Sequence, residues 1–156
     1  MIIKGLVDED FINYYLPSMV IAFPSCTFKC DKECGQQVCQ NSVLAVSPNI
    51  DVDIHKIVKR YMENPITHSV VCGGLEPMDS FDDLYSFAHE LRQYTSDDIV
   101  IYTGYYKEEI IDKVNLLNQL GNIVIKYGRY IPNQEKHYDE ILGVNLASNN
   151  QYAERS

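Results

Sequence analysis

Three stretches with the period of an amphipathic helix alternate with short runs of β-branched and aromatic residues, and that alternation restricts the chain to an α/β design. Ile54, Ile57, Val58, Tyr61 and Met62 follow the i, i+3, i+4, i+7, i+8 spacing, with Asp51 or Asp53 near the start and Pro65 just past the end. A second helix is expected from about Ser80 to Tyr94, where Leu84, Phe87, Ala88 and Leu91 form one stripe. A third is expected from about Lys107 to Leu120, carrying Ile110, Ile111, Val114 and Leu117, with Gly121 as a left-handed stop. The runs Met19 to Phe23, Ser69 to Cys72, Ile99 to Tyr102 and Ile123 to Tyr127 read as buried strands. Strands joined through helices pair in parallel with right-handed crossovers, so a mostly parallel sheet covered by helices is expected.

That topology has a chemical consequence, because ligands of parallel α/β sheets gather at the carboxyl ends of the strands. Each expected strand runs into an unusual sequence there. The first enters a cysteine loop (Cys26 to Asn41) and the second enters Gly73-Gly74-Leu75-Glu76-Pro77. The third enters Thr103-Gly104-Tyr105 and the fourth Gly128-Arg129-Tyr130. All four are expected on one rim. With about four such strands in 156 residues the chain is too short to close a full barrel, so the cysteine side is expected to be open.

No repeat, low-complexity stretch or linker divides the chain, and one domain over residues 1–156 is expected. A chain of this length buries a core without covalent staples, which excludes the disulfide mini-protein class. With 22 acidic against 13 basic side chains the net charge is -9, which argues against a phosphate-binding surface and against nucleic acid as a partner. No apolar run is long enough to span a bilayer, and the start (Met1 to Gly5) lacks the apolar core of a signal peptide, so a cytoplasmic protein without a membrane partner is expected.

Four of the five cysteines (Cys26, Cys30, Cys34, Cys39) fall in one 14-residue window, and in a reducing compartment such a cluster suggests metal before disulfides. Structural zinc usually takes two close pairs held apart by a longer segment, which this spacing fits poorly. An iron–sulfur cluster tolerates irregular loops, and three thiolates leave one iron open to a ligand. A zinc-stabilised α/β interaction module without catalysis stays as the alternative. A thioredoxin-like reading lacks its Cys-x-x-Cys pair. The fifth cysteine, Cys72, lies in a strand and reads as a small buried hydrophobe.

The segment Cys26-Thr27-Phe28-Lys29-Cys30, closed by Cys39-Gln40-Asn41, resembles the cluster loop of radical S-adenosylmethionine (SAM) enzymes. Gly73-Gly74-Leu75-Glu76-Pro77 is similar to that family's Gly-Gly-acidic-Pro turn, and Asp98 to Tyr105 is similar to its strand ending in aromatic-Thr-Gly-Tyr. Leu146 to Gln151 resembles a closing Ser-x-Asn-Gln. Together these motifs resemble the activating proteins of anaerobic ribonucleoside-triphosphate reductase, in the compact form of large bacteriophages, over almost the whole chain. Two departures stand out: the family's third cysteine is missing from its usual place after Cys30, and Leu75 separates the glycines from the acid.

The resemblance implies a partial (βα) barrel of radical SAM type, open on the cluster side, that generates a glycyl radical on the reductase's large subunit. It implies a [4Fe-4S] cluster on Cys26, Cys30 and Cys39, the last preferred because Asn41 follows it; Cys34 is the alternative third ligand. The open iron would be chelated by SAM, and a reduced cluster would split SAM into methionine and a 5′-deoxyadenosyl radical. Gln40, Asn41, Gly73, Gly74, Glu76 and Thr103 are the implied SAM-binding residues, with Arg129 a further candidate for the SAM carboxylate. Implied partners are that large subunit and an electron donor such as flavodoxin, in the host cytoplasm if the protein is phage-encoded.

Overall fold

The computed structural model describes residues 1–24 and 46–156. The cysteine loop, with Cys26, Cys30, Cys34, Cys39, Gln40 and Asn41, therefore lies outside the described residues. The main sheet has six strands: β2 (Gly5–Asp10), β3 (Ser18–Phe23), β5 (Ser69–Gly74), β6 (Asp98–Tyr102), β7 (Ile123–Tyr127) and β10 (Tyr152–Arg155), ordered β10-β7-β6-β5-β3-β2. The strands β3, β5, β6 and β7 run parallel, and β2 and β10 close the two edges antiparallel, so the sheet is mixed. Two small ladders accompany it: β1 (Ile2–Ile3) with β4 (Ile50–Asp51), and β8 (His137–Asp139) with β9 (Val144–Leu146).

Three helices connect the parallel strands in the described residues: α1 (Ile54–Glu63), α2 (Phe81–Arg92) and α3 (Ile111–Asn118). The Asp53 carboxylate caps α1 by accepting from the His55 N–H, and the helix stops at Asn64, as a following proline requires. α2 begins with Asp82 and Asp83, whose charges favour the positive end of the helix dipole. α3 starts later than its apolar period suggests, because Lys107–Glu109 form a tight 3-10 turn and Ile110, at φ -133°, interrupts before the helix resumes. Gly121, at φ +78°, ends the segment as expected.

Alternation along the strands divides the core in two. Met19, Ile21, Phe23, Val70, Cys72, Ile99, Ile101, Ile123 and Ile125 pack with the buried stripes of all three helices. Val71, Val100 and Val124 point the other way, toward Tyr14, Leu142 and Leu146. All three helices thus lie on one face, while the segment before β3 and the β8–β9 hairpin cover the other. Parallel strands laid down in chain order with helices on one side are singly wound, without a reversal point, so their carboxyl ends form one continuous rim. Cys72 is buried as expected, and burial pushes its thiol up to about 12. No described helix is long and apolar enough to cross a membrane.

At the rim the two adjacent glycines have different duties. Gly74 sits at φ +81°, and a Cβ there would lie 2.7 Å from the Ala22 Cα and 2.8 Å from the Phe23 nitrogen, so only glycine lets β5 pass this close to β3. Gly73 has ordinary strand geometry, and a Cβ on it would meet only the Tyr102 Cβ at 3.8 Å. Gly74→Ala is expected to cost at least about 2 kcal/mol, whereas Gly73→Ala is expected to cost less than about 1 kcal/mol; urea unfolding of the two variants checks the difference.

Candidate functional site

The expected rim forms around a buried carboxylate. Glu76 leaves β5 two residues past its last glycine and is only 5% exposed. One oxygen, Oε1, accepts from the Gly104 N–H at 2.8 Å. The other, Oε2, accepts from the Met78 N–H at 3.0 Å and from the Thr103 hydroxyl at 2.9 Å. The bond from the Met78 N–H caps the 3-10 turn Pro77–Ser80, while those from Gly104 and Thr103 reach the turn that follows β6. Leu75 is therefore accommodated locally: its N–H donates to the Phe23 carbonyl at 3.2 Å, and the acid after it turns inward toward the next strand.

Burial raises the Glu76 carboxyl above the ordinary carboxylate value, and the Gly104 and Met78 N–H groups and the Thr103 hydroxyl pull it back. Three donors converge on two acceptor oxygens, an arrangement that suits the ionised form. Thr103 is itself doubly engaged, because its Oγ1 also accepts from the Tyr105 N–H at 3.1 Å. The Tyr105 hydroxyl in turn donates to Asp79 at 2.6 Å. The structure thus brings Gly73, Gly74, Glu76 and Thr103 together across two neighbouring strand ends, with Gly104 between Glu76 and Arg129: a Cβ on Gly104 would lie 3.6 Å from the Glu76 Oε1 and 4.0 Å from the Arg129 Cγ.

Arg129 follows β7 and is only 6% exposed. Its Nη2 donates to the Glu109 carboxylate at 2.7 Å, and its guanidinium lies 4.9 Å from the centre of the Tyr106 ring. Neither Glu109 nor Tyr106 carries a signal in the sequence, since each meets Arg129 only after the chain has passed through α3 and β7. Lys126 was also missed. It is buried on the face opposite the helices, with its Nζ donating to the Gly128 carbonyl at 3.3 Å and lying 5.6 Å from the Tyr102 ring centre. A lysine within a strand of isoleucine and valine is the one visible clue to it.

Chemically, this rim sets the buried Glu76 carboxylate on one side of Gly104 and the Arg129–Glu109 ion pair on the other, beside a strand end where Gly73 has no side chain. Among the described residues no group of three or more His, Cys, Asp or Glu side chains is placed to hold a metal ion. The residues read as cluster ligands lie in the loop outside them, and the end of β3 that leads into that loop is paired to β5, Phe23 opposite Gly74.

The sequence model of a family described as a 4Fe-4S single cluster domain matches residues 18–152, from the first residue of β3 to the first residue of β10. The match contains the whole cysteine loop and all four parallel strands, and it supports an iron–sulfur protein. No curated protein and no solved structure matches the chain.

The Glu76 knot makes a direct prediction. Glu76→Gln places an amide N–H₂ against N–H or O–H donors, and is expected to destabilise the fold by about 2 kcal/mol. Thr103→Val removes one donor to Glu76 and one acceptor of the Tyr105 N–H, and is expected to cost about 1–2 kcal/mol. If the two act through one knot, the losses in the double variant are less than additive in urea unfolding.

Proposed function

Because the chain belongs to the 4Fe-4S single cluster domain family, we propose that it is a radical SAM activase, which generates a glycyl radical on the large subunit of anaerobic ribonucleoside-triphosphate reductase. The observation that carries this reading is the Glu76 carboxylate joining the Gly73-Gly74 strand end to Thr103-Gly104, one strand away from the end of β3 that enters the cysteine loop. In this reading Cys26, Cys30 and Cys39 hold the cluster, with Cys34 the alternative to Cys39. When bound, the cluster and SAM together supply one-electron cleavage of the sulfonium and, through it, removal of a hydrogen atom from a backbone glycine of the partner.

The described residues fit SAM. Gly73 leaves backbone open to a close approach, with nothing nearer than 3.8 Å to an added Cβ, so a carbonyl there would accept from the α-ammonium group. The buried Glu76 charge lowers the cost of placing that ammonium in a site poor in water. Thr103 keeps the Glu76 carboxylate in place, and Gly74 keeps β5 against β3 so that both line the same opening. The planar guanidinium of Arg129 matches a carboxylate in shape and charge. Gln40 and Asn41, beside Cys39, would add polar contacts from the loop.

Singly wound strands with antiparallel edges suit a partial barrel, and an open side would suit a glycine-bearing loop of a large protein. An electron donor such as flavodoxin would reduce the cluster, and the cytoplasm is the compartment that suits such chemistry.

Anaerobic reconstitution with iron and sulfide, followed by EPR of the dithionite-reduced protein with and without SAM, tests the reading in wild type, Cys34→Ala and Cys39→Ala. The expected result is a reduced-cluster signal that changes on adding SAM, survives Cys34→Ala and is lost in Cys39→Ala. The reverse mutant pattern moves the third ligand to Cys34 and keeps the function. Stoichiometric zinc with no cluster in any variant overturns the reading in favour of a zinc-stabilised interaction module.

A further inference from the structure

The segment Ser148-Asn149-Asn150-Gln151 enters the resemblance as a motif but is given no role at the site, yet it is tied closely to the rim. The Asn150 Nδ2 donates to the Arg129 carbonyl oxygen at 2.8 Å and to the Tyr106 hydroxyl at 2.8 Å. Its Oδ1 accepts from the Ser148 hydroxyl at 2.6 Å. A backbone carbonyl only accepts, so the Asn150 amide has one orientation that satisfies both of its ends. Gly128, at φ +107°, allows the close approach: a Cβ there would lie 3.1 Å from the Asn150 carbonyl oxygen.

Asn150 thereby grips Arg129 at two points. It bonds the main chain of Arg129 directly, and it anchors the Tyr106 ring against which the guanidinium lies. The same Tyr106 donates its backbone N–H at 2.8 Å to Oε1 of Glu109, the acid whose Oε2 takes the Arg129 Nη2. An arginine side chain already held in one rotamer, here against Glu109 and the Tyr106 ring, takes on a further carboxylate without losing that rotamer freedom on binding.

We propose that Asn150 is a positioning residue: acting through Tyr106 and the Arg129 main chain, it holds the Arg129 guanidinium in the orientation that receives the carboxylate of SAM. This rests on the radical SAM reading. Asn150 itself touches no cofactor atom in this scheme, and a purely structural Asn150 would affect folding without affecting affinity.

SAM binding to the reconstituted full chain, measured anaerobically by titration calorimetry beside urea unfolding, separates the two roles. Asn150→Ala is expected to weaken SAM binding about 10-fold, the loss of about one well-placed hydrogen bond. In an Arg129→Gln background, already weaker than wild type, Asn150→Ala is expected to add no further loss, since the residue it orients is gone. Tyr106→Phe keeps the ring and removes only the acceptor of the Asn150 amide; a loss of about 3-fold is expected, readable even if Asn150→Ala fails to fold. Wild-type affinity in both Asn150→Ala and Tyr106→Phe overturns the proposal, as do losses that multiply in the double variant. Wild-type protein that carries a cluster and does not bind SAM overturns the radical SAM reading and this role with it; wild type that binds with unaffected variants overturns the positioning role alone.

Discussion

A single carboxylate, buried and surrounded by donors, governs the geometry of the strand-end rim. Glu76 costs the fold the desolvation of an ionisable group, and that cost is offset only because Met78, Gly104 and Thr103 all point hydrogens at it. Those donors belong to two consecutive strand–turn units. Their satisfaction is therefore a statement about how β5 and β6 end relative to each other. A neutral or shorter side chain at position 76 would leave buried N–H groups without acceptors and let the two turns drift apart.

The rest of the rim is arranged around that fixed point by packing and by long-range polar contacts. Gly74 brings β5 against β3, and so draws the strand that enters the cysteine loop toward the Glu76 turn. Gly104 lies between Glu76 and Arg129, and Glu109, Tyr106 and Asn150 hold that arginine from its other sides. The helices add one direct contact, the Lys113 Nζ of α3 donating to the Met78 carbonyl at 3.0 Å. By lying on one face only, they leave the strand ends and the opposite face to loops, the elements that carry recognition in singly wound folds. An iron–sulfur domain built this way places charge of both signs at the carboxyl ends of β5, β6 and β7.

Much of the frame was legible in the sequence because it is local. The expected strands from Met19, Ser69, Ile99 and Ile123 match β3, β5, β6 and β7 to within two residues at either end, since each is a continuous apolar run flanked by turn residues. The apolar stripes of Ile57, Val58 and Tyr61 and of Leu84 to Leu91 face the core as their spacing requires. The antiparallel edges were not read. β2 carries Asp8, Glu9 and Asp10, charges that guard an open edge and hide the strand from a hydrophobic pattern, and β10 ends in Glu154 and Arg155. At the rim, Gly73, Gly74, Glu76 and Thr103 were identified by type and place, but the direction of the Glu76 side chain depends on a strand 27 residues away. The Asn150 to Arg129 contact spans 21 residues, and Asn150 to Tyr106 spans 44, separations at which no periodicity survives. The cysteine ligands, Gln40 and Asn41 lie outside the described residues, and their assignment rests on sequence and family alone.

The central claim is that a SAM molecule held by this rim reaches an open iron of a cluster on the cysteine loop. Electron–nuclear double resonance on the reduced, reconstituted protein, with SAM labelled by ¹⁵N at the amino group and ¹³C at the carboxylate, tests that contact directly. Coupling of both labels to the cluster spin is predicted. SAM that binds without coupling, or a cluster spectrum that SAM leaves unchanged, would contradict the account.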